Sequence, residues 1–281
     1  MSKPRLLFFD LLRIIAIFSI VALHLYSNAG LLPAYLFPSL NIEMLNLNSH
    51  FGNTMVFIII LVSGAVLEYS YGPIVRTVTN AGYYVLFMLK RFCRLYPLYW
   101  MSLIIFTILQ WNVASVLWQY WPLQYLLSLK DTMNGIAWFV ALITCLYFAY
   151  PILSRFLNEY GICALFMIFM VSLYMQGIAD RAGYFSPFVR VFEFSLGIYI
   201  MQIGLYPKWE IRSRAISFLS ELTYPVFIVH AVIMSLVWLL GLSGYLLVLA
   251  VLSIWLWYLD LQIQSALSKY LPRLEPATHT K

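Results

Sequence analysis

The sequence predicts an all-α protein that crosses a membrane several times. Of its 281 residues, 63% are hydrophobic and only 10% are charged, and the mean hydropathy is +0.86. Soluble domains carry ~25% charged residues, so this chain could not cover a water-facing surface. Several apolar stretches approach the ~20 residues that a helix needs to span a bilayer. The basic residues fall between these stretches, which argues against nucleic acid as a partner.

The apolar stretches predict about eight membrane spans, with ten as the upper count. An even number of spans places both termini on the same side of the membrane. The predicted spans lie near residues 6–29, 51–71, 94–113, 136–153, 162–178, 188–206, 215–240 and 244–264.

The distribution of Lys and Arg predicts the orientation of these spans. With both termini in the cytoplasm, thirteen of the 17 basic residues fall in inner segments, two lie within spans, and only Lys130 and Arg181 lie in outer segments. This is a clear positive-inside bias. The sequence therefore predicts a multi-pass protein of the inner or plasma membrane, with one transmembrane domain over residues 1–270 and a short cytoplasmic tail over 271–281.

The segments between the spans differ in character. Residues 72–93 begin too polar to span, so we expect them to lie along the membrane surface. Residues 114–135 are rich in Trp and Tyr, which indicates either an interfacial aromatic belt or rings that stack on a sugar. The three cysteines have neither disulfide nor metal-type spacing, and we expect no metal site.

The first predicted helix carries three polar residues in an apolar stretch. Charged residues are costly inside a bilayer and usually line a site there. Asp10 and Arg13 are three residues apart, and His24 follows Arg13 by eleven residues, about three helical turns. All three therefore share one face, with ~16 Å along the axis between the backbones of Arg13 and His24. We expect this polar stripe to let a reagent on one side of the membrane meet a substrate from the other.

Several short motifs, taken together and in order, resemble the acyltransferase-3 family of integral membrane acyltransferases. The resemblance covers roughly residues 6–264, and Phe227 stands where the family usually has tyrosine. The chain also lacks one pair of the family's usual ten or so helices, between the sixth and seventh. The motifs are Asp10-x-x-Arg13 with His24, the run from Phe57 to Ser63-Gly64, Arg91-x-x-Arg94-Leu95-Tyr96-Pro97, Trp138-Phe139 through Tyr147 to Pro151, Arg190 through Glu193-Phe194 to Gly197, and Tyr224-Pro225 through Phe227 to His230.

The resemblance implies an activity. Family members transfer an acyl group, most often acetyl, from cytoplasmic acyl-coenzyme A to a hydroxyl of a carbohydrate or glycolipid. It thus implies acetyl-CoA as the donor, a role in cell-surface polysaccharide modification, and membrane lipid as the surroundings. The resemblance does not specify whether the protein forms a homo-oligomer.

Within that activity, His24 is the predicted catalytic residue. Its imidazole can serve as the base that deprotonates the acceptor, or as a nucleophile that carries the acyl group. Arg13 then holds the donor or stabilises the oxyanion, and Asp10 pairs with Arg13. The alternative is that His24 and the Asp10–Arg13 pair only stabilise helix packing.

The predicted donor site is a cationic cluster at the inner mouth of the third span. Coenzyme A is a polyanion, and the arginine fork suits phosphate oxygens. The cofactor-binding candidates are Arg91, Arg94, Lys90 and Tyr96. The alternative is that these cations only reflect positive-inside topology and bind lipid headgroups.

The candidates for acceptor binding are Arg190, Glu193, Trp138 and His230. Arg190 and Glu193 are three residues apart near the predicted outer end of the sixth span, where an interfacial structural pair is the alternative. His230 is expected to support or pack rather than to act as a second catalyst. The small pair Ser63-Gly64 favours close helix packing over a catalytic serine.

Two other classes of function remain open. A small transporter or flippase could use Asp10, Arg13 and His24 as a polar relay. A non-catalytic membrane subunit would need the polar stripe only for structure. For the acyltransferase, we expect a polar cavity among the first, second, third and seventh helices.

Overall fold

The computed structural model describes residues 6–29, 43–77, 81–110, 137–178, 186–207, 209 and 213–271. These residues form seven α-helices and no strand, which confirms the all-α prediction. The aromatic segment 114–135 and all but the first residue of the predicted tail lie outside them. The helices are α1 (Leu7–Ala29), α2 (Glu43–Thr77), α3 (Ala81–Gln110), α4 (Ala137–Ile178), α5 (Pro187–Gln202), α6 (Arg214–His230) and α7 (Leu236–Tyr270).

The helices have the apolar surface of a membrane protein. Within the part of the chain that the structure describes, four stretches are long and apolar enough to cross a bilayer, in α1, α2, α4 and α7. Large apolar side chains are exposed on the outside of the bundle: Ile152 is 73% exposed, Trp238 71% and Leu239 77%. Such surfaces are rare on soluble monomers. The chain is a helical membrane protein.

Two predicted spans, 136–153 and 162–178, both lie within α4. The backbone leaves helical geometry at Gly161, where φ is 57° and ψ is −129°. A positive φ is readily adopted by glycine because it has no Cβ. Gly161 therefore divides α4 into two helical segments that match the two predicted stretches.

The predicted span 215–240 is wrong as one continuous helix. The helix α6 ends at His230, residues 231–235 form turns, and α7 begins at Leu236. The carbonyl oxygen of His230 accepts a hydrogen bond from the Tyr245 hydroxyl at 3.0 Å. This bond satisfies a carbonyl at the helix end, so the chain can leave the helix inside an apolar stretch.

The described residues of segment 72–93 are the end of α2 and the start of α3 rather than a separate element. Arg76 donates to Asn158 Oδ1 at 2.8 Å on an exposed face, and Arg91 donates to the Tyr71 hydroxyl at 2.7 Å. That this segment lies along the membrane surface stays a prediction.

Two glycines allow α2 and α5 to touch through their backbones. A Cβ on Gly64 would collide with the carbonyl oxygen of Phe194, and a Cβ on Gly197 would collide with that of Leu61. Small residues at such positions let membrane helices approach closely. The interpretation of Gly64 as a packing residue is confirmed.

A buried carboxylate joins α2 to α4 and α5. Glu68 is only 3% exposed and accepts hydrogen bonds from Tyr150 at 2.9 Å, Ser154 at 2.7 Å and Gln202 at 3.1 Å. Arg76 lies 3.4 Å from the same carboxylate. A buried charge with this many partners holds helices in register.

The polar stripe of α1 lies at a helix interface. The helix α1 packs on α2 and on α6, and α6 also packs on α3 and α7. The stripe is thus covered by α6, and the two helices together position the candidate site.

Candidate active site

The imidazoles of His24 and His230 are in direct contact at the α1–α6 interface. Nδ1 of His24 lies 2.8 Å from Nε2 of His230, and the rings stack at 5.1 Å between centroids with 20° between their planes. His230 is completely buried, whereas His24 is half-buried. The sequence placed these histidines in separate roles, and the fold joins them.

The carbonyl of Phe227 determines where the protons lie in this pair. His230 Nδ1 is 2.6 Å from the Phe227 carbonyl oxygen, which only accepts hydrogen bonds. The proton between them therefore belongs to His230 Nδ1, and a neutral His230 carries its lone pair on Nε2. That lone pair accepts the Nδ1 proton of His24. A neutral His24 then carries its own lone pair on Nε2, the nitrogen with which a general base acts.

The buried histidine is held in place from two further sides. The Phe227 ring lies 5.8 Å from the His230 ring and 4.9 Å from that of Phe139. Tyr245 of α7 holds the His230 carbonyl, as described above. Trp138, a predicted acceptor residue, packs edge-on against Phe139 at 5.8 Å. The start of α4 is thus one ring away from the histidine pair.

Asp10 and Arg13 form the predicted pair near the other end of α1. Arg13 Nη1 lies 3.7 Å from Asp10 Oδ1. Ser220 of α6 bridges them, since its hydroxyl donates to Asp10 at 2.6 Å and accepts from Arg13 at 3.3 Å. The sequence analysis missed Ser220, because a serine in an apolar helix is common and has no distinctive spacing.

This cluster and the histidine pair lie on the same interface but at different depths. Ser220 and His230 are ten residues apart on α6, or about 15 Å along the helix axis at the usual helical rise. A guanidinium held by Asp10 and Ser220 is not beside the His24 ring. The arrangement favours the donor-holding role of Arg13 over the oxyanion role.

The predicted donor residues lie where α3 meets α2, α4 and α7. Arg94 forms an ion pair with Asp260 of α7 at 2.5 Å, and 46% of its side chain remains exposed. Arg91 donates to Tyr71 and stacks over the Tyr71 ring at 4.8 Å. Tyr96 bonds Thr144 of α4 at 3.3 Å. Asp260 was missed, although a lone acid in the last apolar stretch is a visible signal.

Tyr147 connects the donor residues with the polar stripe. Its hydroxyl lies near that of Ser63 of α2, which donates to the Ile59 carbonyl at 2.8 Å. The guanidinium groups within electrostatic range of its hydroxyl are those of Arg13, Arg91 and Arg94. The fold therefore brings Arg13 of α1 into the same neighbourhood as the arginines of α3, which a sequence pattern does not specify.

Arg190 and Glu193 form the predicted ion pair, at 2.5 Å. The pair is buried within the helix bundle, since Arg190 is 4% exposed and Glu193 8%. Oε2 of Glu193 and the hydroxyl of Ser195 are buried and have no hydrogen-bond partner among the described residues. A buried acceptor of this kind suits a ligand hydroxyl.

Among the described residues, no group of His, Cys, Asp and Glu is arranged to hold a metal ion. The chemistry of the described clusters is that of bases, cations and hydroxyls.

Comparison with known proteins supports the motif resemblance. An acyltransferase-3 family model, described as an acyltransferase domain, matches residues 6–206. The match includes Asp10, Arg13, His24 and the arginines of α3, whereas α6 and α7, with His230, lie beyond it. No curated protein and no solved structure matches the chain significantly. Because the match covers most of its length, the chain belongs to the acyltransferase-3 family.

Proposed function

We propose that this membrane acyltransferase transfers an acetyl group from cytoplasmic acetyl-coenzyme A to a hydroxyl of a carbohydrate or glycolipid. The observation that carries the proposal is the chain of hydrogen bonds from the Phe227 carbonyl through His230 to His24. It leaves a basic nitrogen on a half-buried imidazole. The proposed setting is the modification of cell-surface polysaccharide at the inner or plasma membrane.

In the proposed reaction, His24 Nε2 takes the proton of the acceptor hydroxyl as its oxygen bonds to the thioester carbonyl carbon. The tetrahedral intermediate then breaks its carbon–sulfur bond. The imidazolium returns the proton to the departing thiolate, so the products are an acetyl ester and free coenzyme A. In the alternative, His24 Nε2 itself attacks the thioester and carries the acetyl group to the acceptor.

The proposed donor site is the cationic cluster on α3. Lys90, Arg91 and Arg94 would meet the phosphates, with Tyr96 beside them. The exposed part of Arg94 supports this role. Arg13 would bind the donor deeper in the bundle, where Asp10 and Ser220 hold its guanidinium.

The proposed acceptor site lies toward α5. The Oε2 atom of Glu193 would accept a hydrogen bond from an acceptor hydroxyl, and Arg190 would hold the carboxylate in position. Trp138 would pack against the apolar face of a sugar ring, as aromatic side chains do.

The proposed topology has eight spans with both termini in the cytoplasm. The support for this count is the series of apolar stretches along the sequence. The charge distribution supports the orientation.

The proposal is tested with purified protein, radiolabelled acetyl-CoA and a glycolipid extract of the source cells as acceptor. We expect His24→Ala and His24→Gln to lower the transfer rate by at least about 100-fold, the usual range for a general base. His50→Ala is the matched control, because His50 is exposed on α2, and it should retain the wild-type rate. Full activity in folded His24→Ala protein would overturn the proposal.

The two mechanisms are distinguished by rapid quenching in the absence of acceptor. Label bound covalently to the wild-type protein and absent from His24→Gln indicates an acetyl-histidine intermediate. A protein without label that still transfers acetyl to added acceptor indicates direct base catalysis.

Donor docking is tested by calorimetry with acetyl-CoA. Loss of Arg94 alone would leave the buried Asp260 carboxylate without its partner. The informative variant is therefore Arg94→Gln combined with Asp260→Asn, compared with Arg91→Ala. Saturable binding that weakens in both variants supports the cluster as the donor site, whereas unchanged binding refutes it.

A further inference from the structure

A cavity of about 260 Å³ lies between the first half of α3 and the first third of α4. Its walls are apolar and aromatic, and its lining includes Val85, Met88, Leu89, Phe92 and Phe148. Several of the polar groups in the walls bond to other protein groups. The Tyr84 hydroxyl, for example, donates to the Phe148 carbonyl at 3.0 Å.

The cavity opens on the outer surface of the bundle. Val85 is 55% exposed, Leu89 45% and Phe148 49%. Ordered water needs two to four polar partners, and the apolar walls do not supply them. In a membrane, an apolar cavity that faces outward is filled by a hydrocarbon chain.

One cation lines this cavity. Arg91 directs Nη2 to the Tyr71 hydroxyl, while its buried Nε has no hydrogen-bond acceptor among the described residues. A buried donor without an acceptor is destabilising, and more so when it is charged. An anion at Arg91 would supply the acceptor that Nε lacks.

Because Arg91 lies directly beside the apolar cavity, the ligand must carry an anionic group close to a hydrocarbon chain. A phospholipid has its phosphate within a few bonds of its acyl chains. Coenzyme A has a long polar arm between its phosphates and its acyl group, and inorganic phosphate has no chain. The site also lies at the end of α3 that the charge distribution predicts to be cytoplasmic, where anionic lipids are concentrated.

We propose that the α3–α4 cavity binds an anionic glycerophospholipid, with one acyl chain in the cavity and the phosphate on Arg91. A guanidinium has five N–H donors, so a phosphate at Nε leaves others for a second anion. The lipid site therefore shares Arg91 with the proposed donor site but uses a different N–H of its guanidinium.

The test is native mass spectrometry of the intact protein in mild detergent, titrated with phosphatidylglycerol or with phosphatidylcholine of the same chains. We expect the wild type to retain one phosphatidylglycerol more tightly than phosphatidylcholine. Arg91→Gln should weaken phosphatidylglycerol binding by at least about fivefold, since one cation near a lipid surface contributes ~1 kcal/mol. Leu89→Trp, which fills the cavity, should weaken the binding of both lipids. If Leu89→Trp does not fold, Val85→Phe serves as the cavity-filling variant.

Matched controls separate the site from general effects. Ile104→Trp adds the same bulk to the exposed face of α3 outside the cavity, and Lys269→Gln removes one exposed cation from the end of α7. Neither should change lipid retention. Equal binding of the two lipids, full binding by Arg91→Gln, or full binding by both filling variants would overturn the proposal. So would a polyprenyl phosphate that displaces phosphatidylglycerol at equal concentration. No acyl donor is present, so the result is independent of the proposed activity.

Discussion

Replacing His230 tests whether it positions the proton of His24. In His230→Phe, the ring remains but the acceptor for the His24 Nδ1 proton is lost, and His24 no longer prefers the tautomer with a basic Nε2. In His230→Gln, the side-chain carbonyl reaches about the place of the lost Nε2 and can accept the same proton. The two variants thus differ in whether residue 230 can accept the Nδ1 proton of His24.

The expected magnitude follows from that hydrogen bond. A neutral hydrogen bond contributes ~0.5–1.5 kcal/mol, and ~1.4 kcal/mol corresponds to tenfold. We therefore expect His230→Phe to lower kcat about tenfold, with the KM for acetyl-CoA unchanged, and His230→Gln to stay within about threefold of the wild type. Both variants lose the bond to the Phe227 carbonyl, so both should lose ~1 kcal/mol of stability.

The assay is steady-state acetyl transfer, with thermal unfolding of each variant in the same detergent. Wild-type kcat in His230→Phe would refute the positioning role. Equal loss in both variants, with equal loss of stability, would show that His230 is only structural.

Three further predictions concern the structure around the site. Glu68→Ala should destabilise the protein by ~3–5 kcal/mol in thermal unfolding, because the side chains of α4 and α5 lose the carboxylate that they share and Arg76 loses its buried ion-pair partner; a change below ~1 kcal/mol would refute its role in joining these helices. Gly197→Ala should lower stability by at least ~1–3 kcal/mol, since its Cβ meets backbone, and an unchanged melting temperature would count against the close packing. Asp260→Asn should tighten acetyl-CoA binding about fivefold, because the carboxylate competes for Arg94. The Arg94 side chain is 46% exposed, so solvent limits the contribution of this pair to ~1 kcal/mol. Weaker binding in calorimetry would show that Asp260 orients the arginine instead.

Contacts that follow from helix geometry alone could be predicted from the sequence. Residues three apart on a helix are neighbours in any fold, so the Asp10–Arg13 and Arg190–Glu193 pairs could be predicted and are present. The helical class and most helix positions follow from the length of the apolar stretches. The break after His230 did not follow, because the apolar stretch continues through residues 231–234 and contains no Gly or Pro that would mark a helix end.

Contacts between helices were decided only by the tertiary structure. His24 and His230 are separated by 206 residues, and Arg94 and Asp260 by 166. In a membrane, apolar side chains face both lipid and neighbouring helices, so hydropathy does not reveal which face is buried. Ile152 is 73% exposed and Leu146 1%, although both are apolar residues of α4. The rotation and register of each helix, and with them the histidine pair, the arginine neighbourhood and the lipid cavity, are set by packing between helices, which no local pattern encodes.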